Sequence, residues 1–480
     1  MKDVRYSVFF ALNHISDEAI LEAELAPTGG AAAAIMGEII HGGKDIERED
    51  SSRRKRRAGV LLPFAGWIAA ALGIVLAVGI MVALIRGGVL VNPFGPPPDT
   101  DTDTSTEQTT DEPAEELVFE VWDGSVATHF ANGQGTRADP YIINKPSQLA
   151  YLAQLLKGTN SYYATKYYRL EANLDLYRNE WTPIGTGNTA FSGHFDGNGH
   201  IIRNVSFSKF TSAKGYNVAG LFGVVKNATI QNLTVTDVTF YIKNPDPSYE
   251  KLYTGGLAGI ILVGQEKTVT LTNCKLARIK ISVVCTDSYY PNNYQGGVVG
   301  RISIEEDGQF KGERIQAVDV DLFGKYGNDL YQGIFTGYTE CRAALFKIKD
   351  VCLEGTAGHP YIGDRLYYAA VSGKFYIDGG NADCRNIFAV CDYPSGTGYI
   401  FSSHFYPDQF SNPTFLFENC FMGHTNVSSP KPAANYPFIL RGEETSVTYR
   451  NCLYTNVLPE EHWFQERVWD VSDPRHPRLR

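Results

Sequence analysis

The chain has 480 residues, 43% hydrophobic and 20% charged, proportions of an ordinary globular protein that exclude neither an enzyme nor a scaffold. Its net charge of −10 is unevenly placed: eight acidic residues and no Lys or Arg lie between Asp99 and Glu116, while residues 1–57 nearly balance. The rest is close to neutral, so it gains little from counterion release, which excludes nucleic acid as a main ligand.

Residues 1–57 form a short tail in which only Ile15 to Glu24 carries helix signals, with Ser16 as cap and Asp17 and Glu18 in the first turn. The run Arg53-Arg54-Lys55-Arg56-Arg57 then precedes residues 58–85, which hold no charge. At roughly 1.5 Å per residue this stretch exceeds a hydrocarbon core of about 30 Å, and predicts one transmembrane helix. The basic flank places the N-terminus in the cytoplasm and the C-terminal bulk outside, a single-pass plasma-membrane topology. Ala65, Ala69, Gly73 and Ala77 set small side chains on one face, where a second copy could pack as a weak homodimer. Residues 86–116, with Pro96-Pro97-Pro98 and an acidic Thr-rich run, read as an extended linker.

Residues 117–160 are expected to form an N-terminal strand and a capping helix, Pro146 to Leu156, with Leu149, Leu152 and Leu156 on one face. Over 161–480 a six-residue pattern, apolar-x-Asn-apolar-x-apolar, recurs with degenerate copies starting at Ile202, Ile230, Leu271, Ile315, Ile348, Cys384, Phe417 and Tyr449. Spacings of roughly 28 to 44 residues are those of a solenoid. Asn tolerates left-handed backbone and can turn a corner, and the alternation after it points apolar side chains inward. No helical period of comparable strength alternates with these strands, so an all-β parallel β-helix is predicted rather than βαβ units. Between copies stand Gly220-Leu221-Phe222-Gly223, Gly256-Leu257-Ala258-Gly259, Gly297-Val298-Val299-Gly300 and, loosely, Gly333 to Gly337, where glycine suits tight bends.

The runs Gly135 to Ile143, Trp181-Thr182-Pro183-Ile184-Gly185 and Phe195-Asp196-Gly197-Asn198-Gly199-His200-Ile201-Ile202, with the glycine pairs, resemble bacterial surface proteins bearing GLUG-type repeats. The resemblance covers Val118 to Leu276 well and the remainder loosely, and the closing Trp469-Asp470, Pro474 and Pro477-Arg478-Leu479 resemble the usual ending of such proteins. It implies a right-handed parallel β-helix. The tail resembles those of membrane-tethered proteins from clostridial-type bacteria, some of which are anti-sigma factors. Some peptidases carry GLUG repeats, but they lend this chain no catalytic residues. It has no His-Glu-x-x-His, no Gly-x-Ser-x-Gly and no phosphate loop, and no cofactor is expected.

Cys274, Cys420 and Cys452 fall in the inward slot that Val205, Leu233, Val318, Val351 and Ile387 take in other copies, which predicts buried free thiols rather than disulfides. No Cys-x-x-Cys spacing suggests zinc. His194, Asp196 and His200 lie close together, yet Asp-Gly and Asn-Gly in the same run are turn signals, so no metal or catalytic site is assigned there. The candidate ligand-binding residues are Tyr167, Tyr168, Tyr289, Tyr290 and Tyr294. Adjacent strand residues face opposite sides, so one of each pair is expected outward, where a ring can stack on a sugar or anchor a protein. The expected function is non-enzymatic binding or adhesion to a glycan or protein at the cell surface. A β-helix polysaccharide lyase or hydrolase, and a sensor coupled to a cytoplasmic partner, remain open.

Overall fold

The computed structural model describes residues 117–159, 161–208, 211–213, 216–243, 251–284, 292–325, 329–357, 365–392, 401, 405–407, 413–424, 446–450, 452–455, 469–470 and 478–479. The predicted tail, spanning segment and linker, with Ala65, Ala69, Gly73 and Ala77, lie outside the described residues, as do Tyr289 and Tyr290. Among the described residues, no helix is long and apolar enough to cross a membrane. The chain divides into two units, and every described residue belongs to the second, residues 112–480.

The second unit is mostly β-structure, in a 19-stranded sheet and a six-stranded sheet whose pairings are almost all parallel. Parallel neighbours come from successive turns of the chain: Leu233 pairs with Cys274, Cys274 with Ile315, Ile315 with Val351, Val351 with Ile387 and Ile387 with Cys420. Each coil therefore adds roughly 33 to 41 residues, consistent with a stacked repeat. One coil runs through Lys251–Gly255, Ala258–Val263 and Thr268–Val284, and the next through Asn292–Gly296, Val299–Ile304 and Gln309–Lys325.

Alternation along the long strands drives the stacking. In Thr268–Val284, Val269, Leu271, Cys274, Leu276, Ile279, Ile281 and Val283 are buried, while the residues between them are half-buried or exposed. Each fully buried Ile, Leu or Phe contributes about 1.5–3 kcal/mol, repeated coil after coil. The alternation breaks at left-handed corners. One row of corners is Asn232, Asn273, Arg314, Asp350, Asn386 and Asn419, with φ between 50° and 55°. Asn273 Nδ2 donates to Asn232 Oδ1 at 3.0 Å, and Asn419 Nδ2 to Asn386 Oδ1 at 3.0 Å, so side-chain amides tie the corners of adjacent coils together.

Two of the predicted copies sit in other registers. Leu271 pairs with Gly312 and Cys274 with Ile315, so the copy assigned to Ile315–Val320 starts three residues earlier and its corner is Arg314. The Ile202 copy belongs to a second row of corners, because Ile202 pairs with Val235 and Arg203 with Thr236, aligning Asn204 with Asp237. Val205 and Val318 therefore do not share the slot of Cys274, and Val318 is half-buried. Gly220, Gly256 and Gly297 stand at the bends where the chain passes from the six-stranded sheet to the large one, and the second glycine of a pair has a further purpose. A Cβ on Gly300 would lie 2.6 Å from the Thr254 nitrogen and 2.6 Å from the Gly259 carbonyl oxygen, so glycine there permits the two sheets to approach.

The helix Pro146–Leu155 lies at the N-terminal end of the coils, with Leu149, Leu152 and Leu156 fully buried against the core. Gln148 Oε1 accepts from the Asn144 and Lys145 amides and closes its first turn.

Candidate functional site

A cleft of about 510 Å³ opens on the outer face of the large sheet near its N-terminal end. Its floor follows from the parallel register: Tyr167 pairs with His194 and His194 with Thr229, while Arg169 pairs with Asp196 and Asp196 with Gln231. The intervening residues Tyr168, Phe195 and Ile230 point into the core and are buried. Alternation thus delivers two outward rows, one beginning with rings and one polar.

One wall is the turn carrying Arg137, Ala138 and Pro140. The amides of Gln134 and Thr136 both donate to the Asp139 carbonyl, at 3.1 and 3.0 Å, and the Tyr167 amide donates to the Gly135 carbonyl at 3.1 Å. Gly135 has φ +72°, and a Cβ there would stand 2.3 Å from the Tyr141 ring, so this tight turn over the sheet requires glycine.

Within the cleft, Tyr167 and His194 stack with centroids 4.1 Å apart and planes 2° from parallel. Partial desolvation beside Tyr167, and secondarily the charge of Arg137, hold the largely exposed His194 below the ordinary imidazole pKa, which favours its neutral form. Asp196 accepts from Gln231 Nε2 at 2.9 Å, Asn232 Nδ2 at 3.0 Å and the Asn198 amide at 2.9 Å. Both of its oxygens are engaged by donors of the corner network, which makes it a structural acceptor. Arg169 pairs with Glu171 at the rim. His200 turns away, its Nδ1 lying 3.3 Å from Asn173 Oδ1. Among the described residues no three potential metal ligands come together. The cleft offers rings, amides, a hydroxyl and guanidinium groups, a set suited to holding a polar ring by stacking and hydrogen bonds.

Of the tyrosines selected from sequence, Tyr167 and Tyr168 both border this cleft, and of the two Tyr167 is the half-buried one. Tyr168 and Tyr294, expected as part of a binding platform, are instead 1% and 2% exposed. Tyr168 donates its hydroxyl to the Tyr163 carbonyl at 2.6 Å within the core. Tyr294 is the middle of a stacked ladder: it lies 5.2 Å from Tyr253 and 4.9 Å from Tyr331, which in turn lies 4.9 Å from Tyr367. The Arg301 guanidinium sits 5.5 Å from both the Tyr253 and Tyr338 rings and bonds Glu340. Tyr253, Tyr294 and Tyr331 are buried in this stack, so its middle offers no face to a ligand. Sequence reasoning missed Arg137, Arg169, Thr229 and Gln231, whose convergence depends on a register that only strand pairing reveals.

No family model matches the chain, so the resemblance to GLUG-type proteins rests on the quoted motifs alone. A protein of Evansella cellulosilytica named "Putative Gly-rich membrane protein" is 31% identical over 133 residues. That match covers 28% of this chain and 15% of the relative, so the chain spans only a small part of its length. A crystal structure of a "putative immunoglobulin A1 protease" from Bacteroides ovatus superposes with a TM-score of 0.45 at 15% identity, over 73% of this chain and 95% of that one. That likeness is too loose to transfer an activity.

Proposed function

We propose that the protein is a single-pass membrane protein with a cytoplasmic N-terminus, whose coils wind as a right-handed β-helix outside the cell. Its role is to bind a glycan or protein ligand without transforming it. The lopsided charge flanking residues 58–85 supports the topology, as does the name of the relative that shares part of the sequence. The observation that carries binding is the stacked Tyr167–His194 pair at an open, polar cleft. A paired ring beside hydrogen-bonding groups holds a saccharide or an extended peptide side chain, and repeated weak contacts along a coil face add to it.

The test is a glycan and matrix-protein screen with the full chain in detergent micelles, scored for both retention and product release. Tyr167→Ala is expected to weaken retention by about 1–3 kcal/mol while leaving the melting temperature nearly unchanged. Shortened glycan released by the protein, and abolished by a single Asp or Glu substitution that preserves folding, would instead establish an enzyme.

A further inference from the structure

We propose that the cleft binds one anionic sugar unit, its ring laid on the free face of His194 above Thr229 and its acidic group held by Arg137. This deepens the binding role proposed above and rests on it.

The first support is the outward row itself. Tyr167, His194, Thr229 and Thr270 occupy equivalent positions in successive coils. Rings fill the first two rungs, and threonines follow. Adjacent strands lie roughly 4.8 Å apart, about the thickness of one stacked ring. One face of the exposed His194 ring is covered by Tyr167, and the other looks over Thr229, where the short side chain leaves a rung that a pyranose can fill. The Thr229 hydroxyl and the Gln231 amide oxygen, whose Nε2 is held by Asp196, line that rung and suit the equatorial hydroxyls at a sugar's edge, whereas a purely apolar ring would leave them desolvated.

The second support is charge. Asp196 is saturated by three donors and Arg169 is paired with Glu171. Arg137 is exposed and, among the described residues, makes no ion pair or hydrogen bond, while its charge acts on His194. An uncommitted guanidinium beside a stacking face matches a carboxylate or sulfate carried on a sugar.

Binding would be measured by calorimetry with the full chain in micelles and three oligosaccharides of equal length: one of hexuronates, one sulfated and one neutral. At least one acidic probe should bind about tenfold tighter than the neutral one, and Arg137→Gln should erase that preference. Which acidic probe binds distinguishes carboxylate from sulfate. Thr229→Phe, which continues the aromatic row with the protein's own ring, should abolish binding without lowering the melting temperature. Equal binding of neutral and acidic probes that Thr229→Phe still blocks overturns the anionic assignment and leaves the glycan-binding cleft standing. Failure of all three probes overturns the assignment too, and a protein ligand whose capture Thr229→Phe blocks would then preserve the broader binding role. Ligand capture that Thr229→Phe and Tyr167→Ala both leave unchanged removes the cleft from either reading.

Discussion

Cys274 is 1% exposed, its Sγ donates weakly to the Thr272 and Ile230 carbonyls at 3.5 and 3.7 Å, and burial pushes its thiol up to about 12. It pairs with Leu233 in one neighbouring coil and Ile315 in the other, so the slot asks for a small apolar group. Cys274→Ser is therefore expected to cost about 1–3 kcal/mol in urea denaturation, because a hydroxyl there loses water without gaining a good partner, and Cys274→Val should be nearly neutral. A Ser variant as stable as the parent would mean the slot is wet. Alkylation should likewise spare Cys274 in the folded protein and, among the seven described cysteines, reach Cys452 first. Cys452 is half-buried, and the neighbouring Cys420 thiol, hydrogen-bonded to it, lowers its pKa. The seven described cysteines are all free thiols. The inward slot was legible because Cys, Leu, Val and Ile alternate with polar residues in the same way. The identity of every member was not, because Arg314 takes a left-handed corner at φ 55° where the other members of the row carry Asn or, at Asp350, Asp.

At the level of elements, a pair such as Tyr167-Tyr168 reveals that one ring faces out but not which one, and Tyr294 shows why. In a strand that packs on both faces, the outward side is also covered: Tyr294 lies between Tyr253 and Tyr331 and 5.3 Å from Tyr338. Periodicity marks sides, whereas burial depends on what the neighbouring sheet places against them. Tyr294→Ala should accordingly cost about 3–5 kcal/mol, the range for truncating a large core ring, since it opens a gap in the middle of the ladder. Thermal unfolding checks this, and a loss below about 1 kcal/mol would mean that the ladder closes around the gap. Tyr367, at the end of the ladder and half-buried, should lose less on the same substitution. The contrast between the middle and end of one stack separates packing from a general intolerance of truncation.

For the whole molecule, stacked coils give a domain in which each turn is supported by its neighbours, while residues 86–116 join it to the uncharged segment in chain order. The topology expectation follows from residues outside that domain. Arg53 to Arg57 stand on one side of the uncharged segment, while Arg86 and then acidic residues stand on the other. Retaining the five basic residues in the cytoplasm directs the acidic linker and everything after it outward. Protease added to intact spheroplasts should therefore cut within the Thr-rich segment and release a fragment close to the coil domain, because ladder hydrogen bonds protect the backbone of the coils, whereas a Pro- and Thr-rich acidic sequence carries no pattern for such a ladder. An epitope fused to the N-terminus should survive the treatment and be lost only after the membrane is permeabilised. Replacing Arg53 to Arg57 with neutral residues should weaken that asymmetry and give a mixed population. Loss of the N-terminal epitope in intact spheroplasts, with the coil domain protected, would reverse the orientation and move the Tyr167–His194 cleft to the cytoplasmic side.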